Sequence, residues 1–336
     1  MQALIWEAPE VMRLGTVPDP VPGPGWALVQ VNAVGICGSE LGAYLGHNEL
    51  RIPPLVMGHE WAGTVAAVGS STDEEWLGRT VTVNPLLSCG RCRACRRGDR
   101  QLCLERRIIG VDLPGAFAQW VSVPVSALWT VSDPTAGALV EPLACAVQAL
   151  AQGAVQPGDG VLVYGAGIIG LMCAWMARLR GASRIVTVDL NPTRLQHAKT
   201  WGAEETLLGG GPEVTEKVAA VFDGGPDVVV DAVGAAATRQ ESVAAVRRGG
   251  RAVWVGLHDP AASFGGNRLV RDEVTVAGSF CYTDEHFRTA RDLVDQQRLP
   301  AAGSWLDIRP LAVGDAAFRE QALGPAPFAK ILLTLP

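Results

Sequence analysis

Long apolar runs are missing from this 336-residue chain. None reaches the roughly 18 residues that a bilayer-spanning helix needs. Met1-Gln-Ala-Leu-Ile-Trp-Glu7 has no basic flank and meets an acid by position 7, so it is not expected to act as a secretory signal. Basic charge is scarce as well: 28 Lys and Arg face 34 Asp and Glu, a formal net charge of −6. That balance argues against a nucleic-acid partner and offers no basic face to a membrane. Aromatic residues make up only 6% of the chain, leaving little material for a long apolar slot. No internal repeat or low-complexity segment is found.

What is present is ample core material. At 48% hydrophobic, a chain of this length suits two domains, each burying its own core. Four of the eight cysteines crowd into one stretch, while Cys37, Cys145, Cys173 and Cys281 stand singly. This usage is expected of a soluble cytoplasmic protein rather than of a disulfide scaffold.

The crowded stretch runs Ser88-Cys-Gly-Arg-Cys-Arg-Ala-Cys-Arg-Arg-Gly-Asp-Arg-Gln-Leu-Cys103. Cys89, Cys92, Cys95 and Cys103 have the spacing C-x2-C-x2-C-x7-C, and tight C-x2-C turns supply adjacent corners of a thiolate tetrahedron. A structural Zn²⁺ is therefore expected, with Arg91, Arg93, Arg96 and Arg97 offsetting its negative thiolate shell. Two disulfides, or reduced surface thiols, would be the plainer reading of the same residues. With all four positions filled by protein, such a zinc does no chemistry.

Along the chain the texture changes once. Residues 1–134 are rich in Gly, Pro and short β-type runs, such as Trp26-Ala-Leu-Val-Gln-Val-Asn, Trp61-Ala-Gly-Thr-Val-Ala-Ala-Val and Thr80-Val-Thr-Val. They read as a mostly β domain, with the cysteine lobe at about 86–106. From 135 to 283 short apolar strands alternate with helical segments, the pattern of a doubly wound parallel sheet covered on both faces. Residues 284–336 hold a helix and then Phe328-Ala-Lys-Ile-Leu-Leu-Thr, expected to pack partly back on the first domain. The fold class is thus α/β.

Gly165-Ala-Gly167-Ile168-Ile169-Gly170 is a G-x-G-x-x-G run that follows a strand and opens a helix, the context a dinucleotide site requires. Gly165 makes the turn, Gly167 lets the backbone approach a pyrophosphate, and Gly170 lets helix and strand pack closely. Asp189 ends the next strand, 19 residues after Gly170. A carboxylate there accepts from a ribose 2′-hydroxyl and repels a 2′-phosphate, and Leu190 rather than Arg follows it, so NAD is favoured over NADP. Arg194 could swing toward a phosphate.

Two segments of the first domain carry metal-ligand types, Gly35-Ile-Cys37-Gly-Ser39-Glu40 and Gly58-His59-Glu60, and Val140-Glu141-Pro142 stands at the junction. Together with the cysteine lobe, the glycine run and Asp189, in that order, they make the chain resemble the zinc-dependent medium-chain dehydrogenase/reductases over essentially its whole length. The resemblance implies a GroES-like catalytic domain, a Rossmann domain and an active site in the cleft between them. It implies Cys37, His59, Glu60 and Glu141 around a catalytic zinc, a second zinc per chain, Ser39 as the hydroxyl that takes the substrate's proton, and Glu40 as a residue orienting His59. Glu rather than Cys at position 141 resembles the sorbitol-like and threonine-like branches. Two carboxylates and one thiolate would leave that centre net negative and tolerant of several hydroxyls.

Three positions depart from the family pattern. Gly42 stands where a His often relays the proton, and His47 is expected to be an ordinary loop residue. Cys281 replaces an Arg of the sorbitol type, and Ile168 replaces a Pro. The resemblance implies hydride transfer between a secondary alcohol of a polyol, sugar or cyclitol and NAD, by a homodimer or homotetramer. A threonine- or amino-alcohol-type dehydrogenase and a non-catalytic NAD-binding protein are the alternatives.

Overall fold

A computed structural model describes residues 1–47 and 50–335. The chain forms two compact units, Met1–Glu141 with Thr283–Pro336, and Pro142–Tyr282. The boundary expected at 134/135 falls instead at 141/142, inside the helix Val140–Gln152. The short helix Pro134–Gly137 packs on the strands Glu60–Val68 and Thr80–Val83, which keeps residues 135–141 with the first unit.

The first unit is built on a seven-stranded sheet. Its long strand Trp26–Gly35 alternates half-buried and buried positions before ending in three buried ones. It pairs antiparallel with Glu60–Val68, Trp120–Pro124 and Lys330–Thr334. The last of these is the Phe328–Thr334 run, which also pairs parallel with Leu306–Pro310. Val29, Val31, Val34, Trp61, Val65, Phe117, Phe318 and Ile331 form the core beneath. Gly35 lies opposite both Glu60 and Leu332, so one strand end gathers three segments that are distant in sequence.

The second unit is a six-stranded, wholly parallel sheet. Its spatial order is Glu205–Leu208, Arg184–Asp189, Gly160–Tyr164, Val228–Asp231, Arg251–Trp254, Thr275–Gly278. All five residues of the central Gly160–Tyr164 are buried, as expected for a strand with helices on both faces. The chain leaves it at Gly165 (φ +95°) and enters the helix Ile168–Leu179 through Gly167. A Cβ at Gly170 would fall 1.8 Å from the Gly165 carbonyl oxygen, so only glycine lets that helix seat against the strand end. Among the described residues no helix is long and apolar enough to cross a membrane.

Candidate functional site

The site grows from the loop after Gly35. Cys37 stands immediately before the helix Gly38–Tyr44, and Glu40 sits in that helix's first turn, where a carboxylate is favoured by the exposed N–H groups. Glu40 is fully buried, and every bond it makes is local to the site. Its Oε2 accepts from the Cys37 N–H (3.0 Å), and its Oε1 accepts from the Gly58 N–H (2.8 Å) and meets His59 Nδ1 (2.8 Å). Burial pushes the Glu40 carboxyl up, but His59, Arg51 and the Cys37 N–H outweigh it and hold it below the usual value. Burial likewise opposes a charge on His59, yet Glu40 and Cys37 raise it well above an ordinary histidine. With Nδ1 committed to a carboxylate, the Nε2 of His59 is left to face an ion, the arrangement found around metal-binding histidines.

Cys37 Sγ, a His59 ring nitrogen and a Glu60 carboxylate oxygen lie within 4.8 Å of one another. One Zn²⁺, with bonds of about 2.0–2.3 Å, can bridge such a set of soft, borderline and hard donors. The donors fit a zinc that keeps an open position. Glu141 is buried at the start of its helix but does not belong to this group of three. Ser39 Oγ lies 3.4 Å from Cys37 Sγ, to which it donates. His47 is exposed, its N–H bonded to the Gly42 carbonyl.

Two charged residues that sequence reasoning missed complete the centre. Lys330 is fully buried and donates to Glu60 Oε2 and, at 3.0 Å, to the Ile36 carbonyl. Burial alone would strip its proton; Glu60, Cys37 and Glu40 reverse that and raise it above the ordinary lysine value. Gly35 makes room for this pair, because a Cβ there would fall 2.6 Å from both Glu60 Oε2 and Lys330 Cε. Lys330 also corrects the charge balance. Its ammonium offsets the Glu60 carboxylate, a positive charge that the expectation of a net negative centre did not count. The other missed residue is Arg51, 5% exposed, whose guanidinium donates to Ser39 Oγ (3.1 Å), the Ser39 carbonyl (3.3 Å) and the Gly110 carbonyl (3.2 Å). A lone cation in a mostly apolar strand is the one sequence signal for Lys330; Leu50-Arg-Ile-Pro-Pro gives none for Arg51.

The cysteine lobe gathers Cys89, Cys92, Cys95 and Cys103 with their sulfurs within 4.8 Å of one another, and none of the eight cysteines is in a disulfide. The N–H groups of Cys92 and Cys95 point at the sulfurs of Cys89 (3.4 Å) and Cys92 (3.5 Å), and that of Cys89 points at Cys103 (3.4 Å). The Cys95 N–H helps lower the Cys92 thiol to about 6. Cys103 receives the Cys89 N–H, but burial and its neighbouring thiols win and push it up to about 11. Without a cation the four sulfurs cannot all ionise; a set of four thiols preorganised in this way fits a closed zinc site. Of the four arginines, Arg91 pairs with Glu105 (2.8 Å) and Arg97 with Asp99 (3.7 Å).

In the second unit Asp189 accepts from the Ala166 N–H (2.6 Å) and the Asn191 N–H (2.7 Å), tying the second strand to the glycine loop. A Cβ at Gly167 would meet nothing within 4 Å, so the loop presents open backbone at the start of a helix, as a pyrophosphate requires. Ile168 is buried and Ile169 half-buried, Leu190 is 80% exposed, and Arg194 sits in the first turn of the helix Pro192–Thr200.

Comparison with known proteins decides the family. Residues 23–133 match the alcohol dehydrogenase GroES-like domain, and residues 169–296 match the zinc-binding dehydrogenase domain. The chain is a zinc-dependent medium-chain dehydrogenase. It is 33% identical over 304 residues to L-galactonate-5-dehydrogenase of Escherichia coli (strain K12), covering 90% of this chain and 89% of that one. It is 35% identical over 265 residues to sorbitol dehydrogenase of Bacillus subtilis (strain 168), covering 76% and 75%. Among solved structures, a zinc-binding dehydrogenase from Sinorhizobium meliloti 1021 bound to NADP superposes with a TM-score of 0.91 at 31% identity, covering 99% of both chains. The dehydrogenase thus has both units of its family, a GroES-like β unit and a parallel-sheet nucleotide unit, and both cysteine-containing clusters that could bind zinc.

Proposed function

We propose that this enzyme oxidises a secondary hydroxyl of a polyol, sugar or sugar acid with NAD. The observation that carries the reading is the polar donor group of Cys37, His59 and Glu60, fixed by Glu40 and Lys330, with the Ser39 hydroxyl beside it. Cys37, His59 and Glu60 would hold the catalytic zinc, with the buried Glu141 as a further ligand, and the four-cysteine lobe would hold the structural one. When bound, the zinc would supply a Lewis acid for the substrate oxygen and the nicotinamide a hydride acceptor. Glu40 keeps His59 in one tautomer. Ser39 would accept the substrate proton at Oγ as it releases its own, which its partly exposed position lets pass to water. Lys330 keeps Glu60 from burdening the site with an uncompensated charge. Gly165, Gly167 and Gly170 shape the pyrophosphate loop, and Asp189 reads the ribose hydroxyls.

The polar donor set and the shortage of aromatic residues favour hydroxyl-rich substrates over long alkyl chains, and the named relatives include sugar-acid and polyol dehydrogenases. The same reading makes the protein a cytoplasmic homodimer or homotetramer, which sedimentation would measure. The decisive experiment is NADH formation across a panel of polyols, sugar acids, amino alcohols and simple primary alcohols. Higher kcat/KM for a vicinal diol or polyol than for ethanol is expected. Simple primary alcohols outperforming every polyhydroxylated compound would overturn the substrate class.

A further inference from the structure

We propose that the four-cysteine lobe is a docking surface for a second copy of this chain, and that it receives the acidic turn Ser71–Trp76 and Leu77 of that copy. This rests on the reading of the enzyme as a homo-oligomer and names the surface that joins the copies. Residues 86–107 hold seven arginines and no lysine against two acids, Asp99 and Glu105. That surplus of five sits on a chain whose net charge is −6, which leaves −11 on the rest. A Zn²⁺ held by four thiolates would carry two negative charges. Asp284, paired with Arg100 at 2.7 Å, adds a third, so a positive surplus remains. Arg91 and Arg97 have acidic partners within the lobe. Arg93, Arg96 and Arg107 are exposed and form no ion pair among the described residues.

The lobe is apolar as well as basic. Leu104 is 95% exposed and Leu102 54%. Single exposed leucines are ordinary. These two line one open cavity of about 290 Å³, together with Ala94, Arg93 and Arg97. Apolar surface rimmed by arginine suits a partner that is itself both apolar and acidic. A nucleic-acid backbone has no use for the leucines, and the −11 on the rest of the chain repels a polyanion. The chain itself carries the complement. Asp73-Glu74-Glu75 is its one run of three acids. The run lies in the 3₁₀ turn Ser71–Trp76 and is followed by Leu77, 45% exposed. Glu74 and Glu75 are exposed, and Glu74 has no cation partner among the described residues. Arg79 stands 3.9 Å from the Glu75 carboxylate, but its Nε is committed to the Glu75 carbonyl (2.5 Å). Lobe and turn belong to the same unit. In a two-fold dimer each lobe-to-turn contact therefore occurs twice, so two small contacts join into one interface. Exposed ion pairs alone contribute little. The leucines supply the buried apolar part, and the arginine–glutamate pairs fix the partner and the register.

The test is a charge swap on the full-length, zinc-loaded enzyme. Sedimentation over a concentration series gives the dissociation constant of the oligomer, and zinc content and melting temperature are checked on each variant. Arg93→Glu with Arg96→Glu reverses the lobe, and Glu74→Arg with Glu75→Arg reverses the turn. Each reversal opposes like charges and should weaken association roughly 10- to 100-fold. Carrying both reversals in one chain restores opposite charges and should bring association back to within about threefold of the parent. Leu104→Gln leaves every charge in place and should weaken association about tenfold with zinc content unchanged. Added salt should weaken the parent oligomer. If the lobe reversal loses zinc, Leu104→Gln and the turn reversal decide the matter alone. An oligomer untouched by Leu104→Gln and by the turn reversal would overturn the proposal and leave the homo-oligomer standing. So would two reversals that each dissociate it but fail to compensate in the same chain. A monomeric parent would overturn the homo-oligomer reading itself. A labelled DNA oligonucleotide that binds the parent and not the lobe reversal, with the oligomer unchanged, would assign the lobe to a polyanion instead.

Discussion

Replacing Lys330 by Met tests the centre's charge balance most directly. The side chains are similar in length, so the change removes an ammonium without opening a large cavity. It leaves Glu60, 1% exposed, as a buried carboxylate without its ammonium partner, and deprives the Ile36 carbonyl of its donor. Breaking one partner of a buried pair costs about 3–5 kcal/mol. A domain is stable by only about 5–15 kcal/mol, so this is a large fraction of the total. The first unit spans 195 residues. At about 2–4 °C per kcal/mol for that size, its melting transition should fall by roughly 6–20 °C. The double variant Lys330→Met/Glu60→Gln removes both charges and should recover more than half of the loss, since neutralising a whole buried pair is far less costly than halving it. Thermal and urea unfolding in excess zinc, with metal content checked on each variant, separates loss of the pair from loss of the ion. A Lys330→Met protein within about 1 kcal/mol of the parent, with a double variant no more stable than the single one, would refute the reasoning.

Cys92→Ser should lower both zinc content and melting temperature, because the binding energy of a closed structural site is folding energy; Cys37→Ser should lower zinc content and activity while leaving the four-cysteine lobe metallated, and metal analysis finding at most one zinc in the parent enzyme would sink both expectations. Asp189→Gly with Leu190→Arg should move cofactor preference from NAD toward NADP, read as the ratio of kcat/KM values; better use of NADP by the parent enzyme would show that Asp189 has been misread.

The parts of the molecule that sequence made legible are those written in short-range spacing. C-x2-C-x2-C-x7-C and G-x-G-x-x-G each fit inside one turn or one strand–helix junction, so local geometry follows from local order. Strands with continuous apolar runs, such as Arg184–Asp189, were legible for the same reason. Glu205–Leu208 was not, being a four-residue edge strand of mixed polarity. The helices Pro212–Val221 and Ala236–Ala245 mix alanine with charge and gave weak periodicity. Lys330 lies 270 residues from Glu60 in the chain, and only the antiparallel pairing on either side of Gly35 brings them together. Cys37, His59 and Glu60, each expected from its own short motif, come together through the pairing of Gly35 with Glu60, which no spacing in the sequence spells out.

The insertion of the parallel-sheet unit into the middle of the first has a consequence for how the enzyme is made. A ribosome delivers residues in order, and domains fold as they emerge. The nucleotide-binding unit, 142–282, is contiguous, so all of its residues are out before the first unit is complete. The catalytic unit must wait. After its first 141 residues Cys37, His59 and Glu60 have all been synthesised, yet the strand Lys330–Thr334 that flanks Gly35 has not. Until residue 330 arrives, Glu60 has no ammonium to accompany it into the interior. The unit that carries Cys37, His59 and Glu60 is thereby incomplete until almost the whole chain exists, and a chain that stops before residue 330 leaves Glu60 without its ammonium partner.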